Sequence, residues 1–200
     1  MLRVGLTGGL ASGKSFVGQA LAELGCHLIQ ADDIAHQVLE PRGEAYDAVV
    51  AEFGPDILAS DDSIDRRRLA SVVFGRPERL AALTVLVHPP IIRRENELTA
   101  QIAAQVPGAI VVVEAAVMIE AGSHTRFNKL IVAVCAREQQ IVRAIERDGL
   151  SREEALARIE SQMPLEEKRK LADYVVDTSG SRENTLLQVH EIYHSLRSLA

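Results

Sequence analysis

The chain has 200 residues, 47% hydrophobic and 25% charged, with aromatics at 4% and no tryptophan. Such a chain buries roughly 70% of the surface that its unfolded form exposes, which supports an ordinary core and excludes collagenous, disordered and disulfide-scaffold classes. Its 22 basic and 28 acidic residues give a net charge of −6, which argues against general binding of nucleic acid or a membrane surface, because both need an attractive field toward phosphates.

Leu2 to Leu6 reads as a short buried strand, followed at once by the glycine-rich Thr7-Gly8-Gly9-Leu10-Ala11-Ser12-Gly13. Phe16, Val17, Ala20, Leu21 and Leu24 then recur at helical spacing, and Gly25 stops the helix. His27 to Gln30 reads as a second strand, and Asp32-Asp33 leads into a helix with Ile34, Ala35, Val38 and Leu39 on one face. Strand, helix, strand and helix in so few residues imply parallel βαβ units. From Pro41 to about Val106 the pattern turns helical, over Tyr46 to Phe53, Arg68 to Phe74, and a long segment opened by Pro77 and broken at His88-Pro89-Pro90. Ala109 to Val113 and Leu130 to Cys135 restore strand character as central parallel strands, apolar on both faces. Arg137 to Lys170 is a charged helical stretch whose eight basic and eight acidic residues cancel. Tyr174 to Val176 is a last strand, and Ser181 caps a helix with Leu186, Val189, Tyr193 and Leu196 inward.

Gly8-Gly9-Leu10-Ala11-Ser12-Gly13-Lys14-Ser15 fits the phosphate-loop pattern. Consecutive backbone N–H groups must curl around a phosphate, which demands glycine conformations, while the lysine reaches the outer phosphates and the hydroxyl binds Mg²⁺. Asp32 and Asp33 stand where a ligand meets the carboxyl end of a strand, fitted either to orient and deprotonate an attacking hydroxyl or to cap the helix. Glu114 closes the run Ile110-Val111-Val112-Val113, either as an acid acting on Mg²⁺ or as an ordinary strand boundary. Arg143 and Arg147, four apart on one helix face, suit developing phosphoryl charge or a solvated face paired with Glu146 and Asp148. Arg66-Arg67-Arg68 and His88 have both ligand-binding and structural readings. Cys26 and Cys135 show no paired spacing, and the amino terminus leaves no room for a signal peptide. No run approaches the ~18 apolar residues of a membrane span, so a cytoplasmic location is expected.

Taken together, these residues resemble the dephospho-coenzyme A kinase family from Leu6 to about Gly180. The resemblance is carried by Leu6-Thr7-Gly8-Gly9 with Ser12-Gly13-Lys14-Ser15, by Ile29-Gln30-Ala31-Asp32-Asp33-Ile34-Ala35, and by Gln37-Val38-Leu39-Glu40-Pro41. It continues through Asp65-Arg66, His88-Pro89, Arg143 with Arg147, Gln162 and Ala172-Asp173-Tyr174-Val175-Val176. It implies ATP- and Mg²⁺-dependent phosphorylation of the ribose 3′-hydroxyl of dephospho-coenzyme A. The implied fold is a three-layer α/β phosphate-loop kinase with a parallel five-stranded sheet. Its core would comprise about 1–40, 107–136 and 172–200, its helical substrate-binding insertion about 41–106, and its lid about 137–171.

The resemblance further implies that Gly9, Leu10, Ala11, Ser12, Gly13, Lys14, Ser15, Phe16 and Arg143 bind ATP. Asp32 would be the base, assisted by Lys14, Arg143 and Arg147. Asp32, Arg66 and His88 would hold the acceptor, Ser15 and Glu114 the metal, in a monomer or weak homo-oligomer without nucleic-acid or membrane partners. Departures from the family pattern fall at Gln30, where the first aspartate of an Asp-Ala-Asp is usual, at His36 for arginine, at Glu114 and Ala116 in an Asp-x-Pro-Leu-Leu-x-Glu run, and at Thr178 for asparagine. Rival readings are another small-molecule or nucleoside monophosphate kinase, a nucleotide-dependent switch, and an inactive coenzyme A binding module.

Overall fold

A computed structural model describes residues 1–73 and 75–200. The chain divides into two compact units, one of residues 1–30 with 101–200 and the other of residues 31–100.

The first unit is built on five parallel strands, β1 (Leu2–Gly8), β2 (His27–Gln30), β3 (Ile110–Glu114), β4 (Lys129–Val134) and β5 (Tyr174–Asp177), in the order β2-β3-β1-β4-β5. β1 lies at the centre, with Val4 facing Val112 on one side and Lys129 on the other. Every residue of β3 is buried, the signature of a strand covered on both faces. Helices α1 (Lys14–Glu23) and α9 (Arg182–Arg197) cover one face, where Val17 and Leu21 of α1 and Val189 and Leu196 of α9 meet Val4, Leu6, Val112 and Ile131. The opposite face is equally full, since a Cβ added at Gly5 would come within 2.6 Å of Met118 Sδ and 3.0 Å of Phe127. Gly25, at φ 102°, ends the first helical run, and Ser181 caps α9 by accepting from the Asn184 amide.

The charged stretch resolves into three helices, α6 (Arg137–Asp148), α7 (Arg152–Glu160) and α8 (Leu165–Lys170). α6 ends at Gly149, with φ 65°, and α7 opens on a reciprocal capping box between Ser151 and Glu154. Ile141, Ala144 and Ala155 bury their side chains with Ala11, so the apolar face of α6 and α7 packs on the phosphate loop itself.

The second unit contains α2 (Ala31–Leu39), α3 (Tyr46–Phe53), α4 (Arg66–Val73) and most of α5 (Pro77–Gln105). The helix expected to end at Phe74 begins two residues earlier than read, at Arg66, and its far end at Phe74 lies outside the described residues. The break expected at His88-Pro89-Pro90 does not occur, because α5 runs through both prolines. Two imino residues remove two amide donors, whereas the turns on either side keep theirs, and Pro90 is buried. Packing overrides the local preference of the residue before proline.

Among the described residues, no helix is long and apolar enough to cross a membrane. Cys26 and Cys135 are both free thiols. Burial pushes the Cys26 thiol up to about 11, so it stays neutral as a small core side chain.

Candidate active site

β1 delivers the chain to its carboxyl end at Gly8, and α1 begins six residues later. The intervening turn is tight enough to place Ala11 at φ 50° and Gly13 at φ 86°. Gly13 is needed twice over, for its left-handed backbone and because an added Cβ would lie 3.0 Å from Thr178 Cγ2. The resulting loop and the amino terminus of α1 line an open pocket of about 580 Å³, with the donor-rich helix end facing it. Lys14 Nζ donates to the Gly9 carbonyl at 3.2 Å, folded back along the loop. Residues 11 to 16 all border this pocket, as do Arg143 and Arg147. Arg182 also borders it and lies 5.8 Å from the Phe16 ring centroid.

Ser15 Oγ donates to Glu114 Oε1 at 2.7 Å. Glu114 is buried, and its Oε2 has no hydrogen-bond partner. A buried carboxylate with one oxygen unsatisfied, bonded to the phosphate-loop hydroxyl, is the donor set expected of a Mg²⁺ site that uses few protein ligands and completes its shell with phosphates and water. The residues present therefore fit the metal.

Arg143 is not a solvated side chain. Its Nη1 donates to Thr178 Oγ1 at 3.0 Å and its Nη2 to the Thr178 carbonyl at 2.7 Å. Arg147 instead makes a two-pronged pair with Asp148, at 2.8 Å on both contacts. The alternative of surface pairing is thus realised for Arg147 and not for Arg143, although both reach the pocket. Hydrogen bonds from Ser179 hold the Asp177 carboxyl, at the end of β5, below its usual range. A carboxyl lowered on folding stabilises fully above its unfolded value near ~4 and loses that contribution as pH falls through the folded value. The parent protein should therefore be more stable than Asp177→Asn at pH 7 in urea unfolding, with the difference shrinking on acidification below ~4; a difference that grows in acid would contradict the assignment.

A family model described as dephospho-CoA kinase matches residues 2–184. The chain belongs to the dephospho-CoA kinase family. A dephospho-CoA kinase from Carboxydothermus hydrogenoformans is 43% identical over 188 residues, covering 93% of this chain and 90% of the relative. Among solved structures, TT1252 from Thermus thermophilus superposes with a TM-score of 0.84 at 32% identity, covering 97% of this chain and 96% of that one. Dephospho-CoA kinase from Campylobacter jejuni superposes at 0.62 with 27% identity over the same shares.

Within this dephospho-CoA kinase family member, several side chains whose local sequence indicates no role support the phosphate loop. Gln140 Nε2 donates to the Leu10 carbonyl at 2.7 Å, and the Leu10 amide donates to Gln162 Oε1 at 2.9 Å. Lys168, 0% exposed, donates to the carbonyls of Gly8 and Ala116, both at 3.1 Å, and pairs with Glu120 at 2.8 Å. The last acid of the Glu114 to Glu120 run therefore has a partner, and the Ala116 carbonyl accepts from both Lys168 and Thr7 Oγ1. Thr178 offers one hydroxyl proton to donate and oxygen lone pairs to accept. Lys168 sits in a Lys-Arg-Lys run inside the charged stretch, and nothing local separates it from its neighbours.

Asp32, Asp33, Arg66 and His88 belong to the second unit. Asp32 and Asp33 are exposed in the first turn of α2, two and three residues beyond the end of β2. Gln30 closes β2 in register with Glu114, and His36 lies on α2. Arg66 opens α4 and is exposed, while His88 is half-buried on α5.

Proposed function

We propose that the protein transfers the γ-phosphoryl group of ATP to the ribose 3′-hydroxyl of dephospho-CoA, giving CoA and ADP in the last step of CoA synthesis. The observation that carries this reading is family membership over residues 2–184, joined to a phosphate loop whose Ser15 bonds the buried Glu114.

The loop amides from Gly9 to Ser15 and the Lys14 ammonium bind the ATP phosphates, and Phe16 and Arg143 border the bound nucleotide. Ser15 and Glu114 would hold Mg²⁺, which when bound supplies charge neutralisation at the outer phosphates. The Asp32 carboxylate orients the acceptor 3′-hydroxyl and takes its proton as the new O–P bond forms and the bond from the γ-phosphorus to the ADP oxygen breaks. Arg143 and Arg147 meet the charge on the transferring group. The helical segment 41–106, with Arg66 and His88, acts as the acceptor-binding insertion, and 137–171 acts as a lid that keeps water from the phosphoryl group. A reduced compartment suits the two free thiols, and we assign the protein to the cytoplasm as a monomer or weak homo-oligomer.

The deciding experiment is mass spectrometry of dephospho-CoA after incubation with ATP, Mg²⁺ and the protein. The expected product carries one added phosphate at the 3′ position. Phosphorylation of some other alcohol, with dephospho-CoA untouched, would overturn the reading. Glu114→Gln should raise the Mg²⁺ concentration for half-maximal rate by about tenfold, since an amide is a poorer ligand for a hard cation than a carboxylate. An unchanged Mg²⁺ dependence would remove Glu114 from the metal site.

A further inference from the structure

We propose that Thr178 is a positioning residue for phosphoryl transfer, its hydroxyl fastening the Arg143 guanidinium to the Ser12 carbonyl so that arginine and phosphate loop share one frame. The proposal rests on the reading of Arg143 as a nucleotide-binding group.

A threonine hydroxyl has one proton to give and lone pairs to receive. Here it receives from Arg143 Nη1 at 3.0 Å and gives to the Ser12 carbonyl at 2.9 Å, with the Val134 carbonyl a longer alternative at 3.3 Å. The Thr178 carbonyl accepts separately from Arg143 Nη2 at 2.7 Å, so one residue grips the guanidinium with both side chain and main chain. The residue making this grip is itself fixed. Its amide donates to the Val134 carbonyl at 2.8 Å, and only 5% of its surface is exposed. Its methyl group lies against Gly13, the residue whose left-handed turn starts α1. Both branches at Cβ are therefore engaged, and a β-branched side chain has few rotamers in which to do otherwise.

The long Arg143 side chain would lose considerable rotamer freedom if it were ordered only by nucleotide. Holding it beforehand removes that cost from binding. The same hydroxyl ties Arg143 to the loop that binds the phosphates, so a displacement of one is passed to the other. A role limited to folding of the turn after β5 predicts no such dependence on Arg143.

The test uses Thr178→Val, which keeps shape and removes the hydroxyl, and Thr178→Ser, which keeps the hydroxyl and removes the methyl. ATP affinity is read by titration calorimetry, and kcat and KM by ADP release with dephospho-CoA. Thr178→Val should weaken ATP affinity and kcat/KM by about 10- to 100-fold, the worth of a hydrogen bond to a charged group, and Thr178→Ser should recover most of this. In an Arg143→Ala background the same Thr178→Val change should cost less than about threefold, because the partner is already absent. Parent affinity in Thr178→Val, or its full penalty persisting without Arg143, would overturn the proposal. Should the parent protein leave dephospho-CoA unphosphorylated, the proposed function falls, and the calorimetric cycle with ATP alone still decides the role of Thr178.

Discussion

Asp32→Asn is expected to lower turnover by ~10²–10⁴-fold, the usual worth of a positioned acid–base group, while ATP affinity stays at the parent value. Asparagine has nearly the same shape, so it can still lie beside a hydroxyl, but it cannot take a proton from it. Asp32 sits in the first turn of α2 on an exposed position, so the fold loses at most one favourable charge near a helix amino terminus, about 0.3–1 kcal/mol. Its neighbour Asp33 projects about 100° further round the helix, which prevents both carboxylates from addressing one oxygen. Asp33→Asn should therefore change turnover by less than about threefold. Pre-steady-state and steady-state ADP release with dephospho-CoA distinguishes the two. Parent-like turnover in Asp32→Asn would transfer the role to Asp33 or to the substrate's own phosphate.

The second large effect is on stability. Lys168→Met should destabilise the protein by ~3 kcal/mol, toward the lower end for breaking a buried ion pair, because Glu120 retains some solvent contact. Methionine fills much of the same volume but leaves the carbonyls of Gly8 and Ala116 and the Glu120 carboxylate without the donor that now joins them. For a chain of this size the loss corresponds to a fall in Tm of roughly 6–12 °C. Lys170→Met supplies the contrast, since its pair with Glu167 is largely exposed and such pairs contribute less than ~1 kcal/mol. Thermal unfolding of the two variants side by side is the measurement, and equal melting temperatures would refute the buried role.

The parts of this molecule legible in the sequence are those whose physics is local. The phosphate loop announces itself because a backbone that wraps a phosphate needs glycine, lysine and a hydroxyl at fixed spacing, and β3 because a strand covered on both faces is apolar along its run from Ile110 to Val113. Ser181 as a helix cap is local in the same sense. Lys168 and Thr178 are illegible for the opposite reason: their partners Gly8 and Ser12 lie 160 and 166 residues away, and no pattern in a window reports such a pairing. Pro89 and Pro90 show the remaining kind of miss, where a strong local rule is overruled by a helix continuing on both sides.

The strand order also bears on how the protein is made. β1 is synthesised first, yet both strands that flank it, β3 and β4, lie in the second half of the chain. The nascent phosphate loop therefore leaves the ribosome on a strand with no neighbour, and its sheet cannot close until the chain beyond residue 129 has followed. During that interval an apolar strand presents two open edges, so synthesis passes through a stage prone to aggregation. The pocket beside the phosphate loop is completed later still, because Arg143 and Thr178, which border it, emerge after both edges have been sealed.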